Sequence, residues 1–227
     1  MCGRFTLAGD LDFYADYFGA IPDASEPLSP SWNVAPTDSV YVIAEREGAR
    51  RLETMRWGLI PSFASDAKTI HINARQETVA TSPAFRLALR RRRCLIPADG
   101  FYEWDGGERG RVPHFIFRAD GYPVGFAGVW ETRSIESTGT LLRTCAIITT
   151  PATGVAASLH DRMPVALPPH AWDEWLNREL NNPQQALDLL HPIDDDLWME
   201  RTVSPLVNSV RNNGPELLDP DPQGRLL

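Results

Sequence analysis

Six short stretches, residues 4–7, 40–44, 52–57, 115–117, 126–130 and 144–149, are apolar and rich in β-branched and aromatic side chains. Such runs read as strands, and several are too continuous to leave one face in water. No helix-length segments alternate with them in the way a parallel strand–helix–strand sheet requires. The expectation is therefore a mixed α+β domain rich in strands. Short helices are predicted at Leu11–Phe18, behind Asp10 as N-cap, at residues 85–89 running into Arg90–Arg93, and at residues 152–158. Two more, at 169–176 and 183–190, open on proline, which suits a first helical position. Residues 22–31 form a Pro/Ser-rich loop and residues 105–111 a Gly-rich turn. From Asn212 onward the chain has little to bury and is predicted to be a mobile tail over residues 212–227.

A chain of 227 residues buries about 70% of its unfolded surface and needs no staple to fold. Three cysteines, Cys2, Cys94 and Cys145, with no C-x-x-C spacing exclude a disulfide framework and a thiolate zinc site. No cofactor or metal is expected. Apolar runs fall short of the roughly 20 residues of a membrane span, and the first residues lack the layout of a signal peptide. The expected location is cytoplasmic, as in bacteria, and away from membranes.

The net charge of −8 would disfavour a polyanionic partner, but it is unevenly spread. Residues 161–227 hold twelve acidic and five basic residues, which leaves 18 acidic and 17 basic before them. Lys68 is the only lysine, so 21 of 22 basic residues are arginine, whose planar fork suits phosphate.

Removing Met1 would give Cys2 a free α-amine beside its thiol, a 1,2-aminothiol. An α-amine titrates near 8 and is nucleophilic at neutral pH. Such a pair condenses with an aldehyde, the amine forming an imine and the thiol closing it to a thiazolidine. Cys2 is either pinned by the strand that follows Gly3 or is an incidental residue at a loose start. Glu103, between Tyr102 and Trp104, either faces water on an edge strand or is buried with a raised pKa useful for acid–base work. Asn73 and Arg75 alternate in the strand sense and point the same way. His160 lies in the densest polar cluster, His160-Asp161-Arg162; His71, His114, His170 and His191 read as surface or internally satisfied residues. The run Arg90–Arg93 spreads around a helix, so some of its members are structural.

Six collinear segments carry a resemblance: Met1 to Phe5, Trp32-Asn33-Val34-Ala35-Pro36-Thr37, Arg56-Trp57-Gly58-Leu59-Ile60-Pro61, Ile72-Asn73-Ala74-Arg75, the segment 93–104 ending in Phe101-Tyr102-Glu103-Trp104, and His160-Asp161-Arg162-Met163-Pro164-Val165. Together they resemble the SOS-response-associated peptidase (SRAP) family. The resemblance implies a single SRAP-like domain over residues 1–211 with a β-barrel-like core and flanking short helices. It implies binding of single-stranded DNA and covalent shielding of abasic sites in the DNA damage response, a lyase-like, cross-linking activity with Cys2 as nucleophile and Asn73, Glu103 and His160 as the other catalytic positions. Arg4, Arg75 and Arg162 become candidates for phosphates, and Asn33, Trp57, Phe63 and Trp104 for further DNA contacts, with Trp32 as another stacking candidate. Phe63 stands where many members have Trp. A monomer associated with the nucleoid and with replication-fork proteins would fit that work. Two other readings remain open: an autoproteolytic thiol peptidase using Cys2, and a non-covalent single-strand-binding module.

Overall fold

Strands that are apolar on both faces must be covered on both, and one way is to curl the sheet into a barrel. The computed structural model describes residues 2–24, 26–64, 69–106, 112–134 and 139–220. In chain order the strands are β1 (Phe5–Leu7), β2 (Ile21–Pro22), β3 (Ser31–Val34), β4 (Ser39–Arg46), β5 (Ala49–Trp57), β6 (Asn73–Arg75) and β7 (Arg93–Ala98). They continue with β8 (Gly100–Trp104), β9 (Pro113–Arg118), β10 (Val124–Ser134), β11 (Leu141–Pro151), β12 (Arg162–Pro164), β13 (Ala166–Leu167) and β14 (Trp198–Thr202). The helices are α1 (Leu11–Phe18), α2 (Arg86–Arg91), α3 (Gly154–Ala157), α4 (Trp172–Leu176) and α5 (Pro183–Asp188).

Neighbours run in the order β11, β10, β7, β4, β5, and β5 returns to β11 in parallel through Thr144↔Arg56 and Cys145↔Trp57. That last pairing closes a five-strand barrel, so the expected barrel-like, strand-rich α+β core is present. The β4–β5 hairpin turns on Glu47 and Gly48, both at positive φ (55° and 77°), the geometry that matches the twist of the flanking strands. β6 and β12 extend β11 beyond the barrel.

A second sheet, in the order β14, β9, β8, β1, β3, packs alongside. Gly100 opens β8 because any side chain there would collide: a Cβ would lie 2.6 Å from the Ile116 carbonyl oxygen. Phe5 joins the two sheets, its ring 5.0 Å from Trp57 and 6.2 Å from Phe126.

Helix α1 forms as expected, with Asp10 Oδ1 accepting from Phe13 N at 2.8 Å and Gly19 ending the helix at φ 59°. It turns Tyr14, Ala15 and Phe18 inward. Two of the four arginines in the run are structural, while Arg90 and Arg91 are exposed. Arg93, 3% exposed, donates to the carbonyls of Leu89, Arg90, Trp175, Asn177 and Leu180, and Arg92 pairs with buried Glu131. Cys94 and Cys145 are free and buried in the core. Among the described residues no helix is long and apolar enough to cross a membrane.

One boundary differs from expectation. Residues 212–220 are packed and not a loose tail: Leu217 is fully buried, Asn213 Oδ1 accepts from Trp32 N at 2.8 Å, and Ser204 N donates to the Asp219 carbonyl at 3.0 Å. The segment is polar because its own side chains supply the hydrogen bonds that hold it. The rest of the expected tail, 221–227, and residues 107–111 of the expected Gly-rich turn lie outside the described residues.

Candidate active site

The site grows from the way β1 is held. β1 pairs on both sides, Phe5 with Val34 of β3 and with Phe101 of β8. Tyr102 N donates to the Arg4 carbonyl at 2.9 Å, so the ladder continues past the strand's start. The Arg4 guanidinium donates to Asn33 Oδ1 at 2.6 Å and to the Val207 carbonyl at 2.9 Å, with the Trp104 ring 5.7 Å from its centre. At the other end of β1, Asp99 accepts from Ala8 N and from the Tyr14 hydroxyl, each at 2.7 Å. A short strand fixed at both ends cannot slide, and Cys2 is thereby pinned with no exposed surface.

Asn73 reaches Cys2 from the barrel. β6 runs parallel to β11 with Asn73 beside Ile147, and Asn73 Nδ2 donates to the Cys2 carbonyl at 2.8 Å. Its Oδ1 is buried and has no hydrogen-bond partner among the described residues. A buried acceptor left open beside the Cys2 backbone is a place for an N–H or O–H of a bound molecule.

Glu103 is 4% exposed, and burial pushes its carboxyl up to about 7, with the Asp161 charge acting in the same direction. Near neutrality it is divided between acid and base forms. Burial raises the Cys2 thiol, and the Glu103 charge raises it further, so the thiol keeps its proton until a base takes it. His160 Nδ1 lies 2.9 Å from Arg162 N and 2.7 Å from Asp161 Oδ1, and burial lowers the ring's pKa. A ring with a bare Nδ1 accepts from the amide; one with a protonated Nδ1 donates to the carboxylate. Cys2, Asn73, Glu103 and the His160–Asp161 turn thus form one cluster, in which the acid–base groups are buried or half-buried.

The residues expected to contact DNA divide. Phe63 is 67% exposed and Arg75 is exposed, so both are free to meet a strand. Trp104 keeps part of its face open while Nε1 donates to Asn208 Oδ1 at 2.6 Å. Arg4 is half-buried and committed to the contacts above. Three expectations are corrected. Trp57 is fully buried in the barrel, its Nε1 donating to the Ile72 carbonyl at 2.9 Å, because its apolar area is needed under Phe5. Asn33, 4% exposed, spends Nδ2 on the carbonyls of Ser209 and Asn212 at 3.0 and 2.8 Å, tying down the segment after β14. Arg162, 8% exposed, grips Glu77 with both terminal nitrogens, one at 3.0 Å, and also donates to the Thr149 carbonyl at 2.6 Å. Trp32 uses its backbone N–H and carbonyl to hold Asn213 and the Tyr102 hydroxyl.

One residue near the site was missed from the sequence. Glu77, whose pKa is lowered by the hydrogen bond from Arg162, was hidden because it lies just past the strand that holds Asn73 and Arg75. His114, expected as a surface or internally satisfied residue, is the latter: it alternates with buried Ile116 along β9, shares the inward face and is hydrogen-bonded to Glu200.

The family model for the SOS response associated peptidase (SRAP) matches residues 1–210. The abasic site processing protein YoqW of Bacillus subtilis (strain 168) is 40% identical over 225 residues, covering 96% of this chain and 99% of that protein. The abasic site processing protein YedK of Escherichia coli (strain K12) is 34% identical over 231 residues, covering 97% of this chain and all of that protein (100%). A solved structure of a protein from Bacteroides thetaiotaomicron superposes with a TM-score of 0.86 at 22% identity, over 96% of this chain and 99% of that one, a likeness of fold. A second, from Bordetella bronchiseptica, reaches 0.75 at 28% identity, over 89% of this chain and 100% of that one. With the family model spanning nearly all of the sequence and relatives well above 30% identity, the chain belongs to the SOS response associated peptidase (SRAP) family.

Proposed function

We propose that this protein forms a covalent cross-link with abasic sites in single-stranded DNA, with the α-amine and thiol of Cys2 closing a thiazolidine on the sugar aldehyde. The observation that carries this reading is the pinned, buried Cys2 with Asn73 on its carbonyl and a carboxyl of raised pKa, Glu103, beside its thiol. Relatives named abasic site processing proteins support the same substrate.

Hydrolysis of the bond after Met1 frees the Cys2 amine. The abasic deoxyribose opens to its aldehyde, with Glu103 and His160 exchanging protons with the ring oxygen and hydroxyl. The amine adds to C1′, Glu103 in its acid form protonates the departing hydroxyl, and water leaves to give the protonated imine. Now a carboxylate, Glu103 takes the thiol proton as sulfur bonds to C1′, and the iminium nitrogen keeps its proton and becomes the neutral ring amine. One water is lost in the condensation. The ring removes the imine that would otherwise promote strand cleavage by β-elimination. Asn73 Oδ1 is suited to hold the amine or a sugar hydroxyl throughout. Phe63 supplies a stacking face and Arg75 a phosphate contact on the strand's path. A thiol peptidase would need Cys2 as a thiolate, and burial beside a carboxylate works against that form.

The test mixes purified protein with a single-stranded oligonucleotide containing one abasic site. A band stable to denaturing gels is expected, with the mass of the two components less one water, and Cys2→Ala is expected to abolish it. A stable band of the same mass from Cys2→Ala would overturn the reading.

A further inference from the structure

The seam that closes the barrel is short: β5 and β11 pair only through Thr144↔Arg56 and Cys145↔Trp57. Ahead of these pairs a cleft of about 280 Å³ opens between Thr54 and Arg56 of β5, Ser39 of β4 and residues 141–143 of β11. Ser39 is paired with Arg56 across β4 and β5, so the two side chains share a face, which Thr54 joins two residues earlier. Trp57 takes the opposite face, into the barrel. The half-buried Arg56 guanidinium makes no hydrogen bond or ion pair with a described residue. The Thr54 hydroxyl is buried beside it and likewise lacks a partner. Across the cleft Arg143 donates to Glu53, a buried carboxylate that also lies 3.4 Å from Arg46 Nε. Three arginines therefore meet one carboxylate, and the cleft is left positive.

We propose that this cleft is a phosphate-binding site, with the Arg56 guanidinium as its principal ligand and the Ser39 hydroxyl and the remaining N–H groups of Arg143 as further donors. The donors come from three strands and so approach from different directions, which suits a tetrahedral oxyanion, and a guanidinium fork grips two of its oxygens at once. The turn before β4 holds one wall in place. Thr37, an exposed β-branched residue, sits there at φ 82°, a strained conformation of the kind that persists where the surroundings fix it. Thr37 N donates to the Trp57 carbonyl and Trp57 N to the Asp38 carbonyl, each at 2.8 Å, while Asp38 Oδ2 accepts from Ala35 N at 2.9 Å. These bonds fix Ser39 opposite Arg56. The site lies close to the Cys2 cluster: Asn73 pairs with Ile147, three residues beyond Thr144 on β11, or about 10 Å at the rise of a strand. A phosphodiester of a bound strand and a free phosphate present the same oxygens to these donors. The site does not depend on cross-linking.

The test uses the full chain in two arms. In the first, binding of a single-stranded oligonucleotide without abasic sites is followed by fluorescence anisotropy across salt concentration, so that a failure of cross-linking leaves the result readable. Arg56→Met is expected to weaken binding about tenfold at low salt, as for loss of a hydrogen bond to a charged group. It is also expected to reduce the slope of log affinity against log salt by about 0.7, the share of one phosphate contact on a single strand. Ser39→Ala is expected to weaken binding about threefold at an unchanged slope, because the donor lost is neutral. Arg56→Gln reads the same slope if the Met variant does not fold. In the second arm, inorganic phosphate is titrated into nitrogen-15-labelled protein and the Arg56 Nε–Hε signal is followed, assigned by its absence from the variant. A reduced salt slope assigns the site to the DNA backbone. An unchanged slope with a saturable phosphate shift assigns it to a free phosphate. An unchanged slope with no saturable shift overturns the inference.

Discussion

Asn73 on the barrel's extension donates its side-chain amide to the backbone carbonyl of Cys2 at 2.8 Å, bridging the two sheets at the start of the chain. This one bond registers Cys2, the proposed nucleophile, against the barrel. Asn73→Ala is expected to slow cross-linking about 10²-fold, the usual cost of a reactant misplaced by about 1 Å. The loss of a single hydrogen bond should cost only about 1 kcal/mol of folding stability. Single-turnover gels and urea unfolding on the same preparation separate the two effects; a rate close to wild type would remove Asn73 from the mechanism.

Glu103 also leaves a signature in stability. Its carboxyl titrates near 7 when folded, against an ordinary value of 4.5. The folded state holds this proton more tightly, so the stability it contributes is present in full below about pH 4.5 and is lost as pH rises through 7. Glu103→Gln should remove that dependence. Relative to wild type, the variant should gain about 2 to 3 kcal/mol between pH 5 and pH 8. Urea midpoints at the two pH values check this, and parallel profiles would place Glu103 in a solvated state.

Arg162 is committed to the protein. Arg162→Met should lower folding stability by about 1 to 3 kcal/mol, because it takes one of two donors from the buried Thr149 carbonyl, which keeps the Gln76 amide, and the partner from exposed Glu77. The salt dependence of single-strand binding should stay as in wild type, since no phosphate loses a cation. A salt slope reduced by about one would return Arg162 to the DNA surface.

Phe63 and Trp57 should separate binding from folding. Trp57→Ala should cost about 3 to 5 kcal/mol of stability, for a large ring removed from a packed core. Phe63→Ala should change stability by about 0.5 kcal/mol or less, yet weaken single-strand binding by about 1 to 3 kcal/mol if its ring stacks on a base. Fluorescence titration with an oligonucleotide and thermal unfolding give the two numbers.

Strand positions were readable in advance because apolar runs such as 40–44 and 144–149 leave a chain little choice but burial, and α1 because Asp10 and Gly19 mark its ends. The packed segment 212–220 was not, because its hold depends on Asn33, Trp32 and Ser204 from distant parts of the chain. The cluster at Cys2 was legible only as separate motifs. Nothing local tells whether the alternating residues 101–104 put Glu103 inside or outside.

The sequence by itself marked a strand-rich α+β domain, offered Cys2, Asn73, Glu103 and His160 as candidate residues through separate motifs, and showed that acidity gathers after residue 160. Only the tertiary structure decided which side chains are used up. Trp57, Asn33 and Arg162 face the same solvent question as Phe63 and Arg75 when read along the chain, but burial depends on what the sheets bring opposite them. The raised carboxyl of Glu103 likewise arises from the loss of water around it when β1, β8 and the His160 turn close together, a change in surroundings that no run of neighbouring residues encodes.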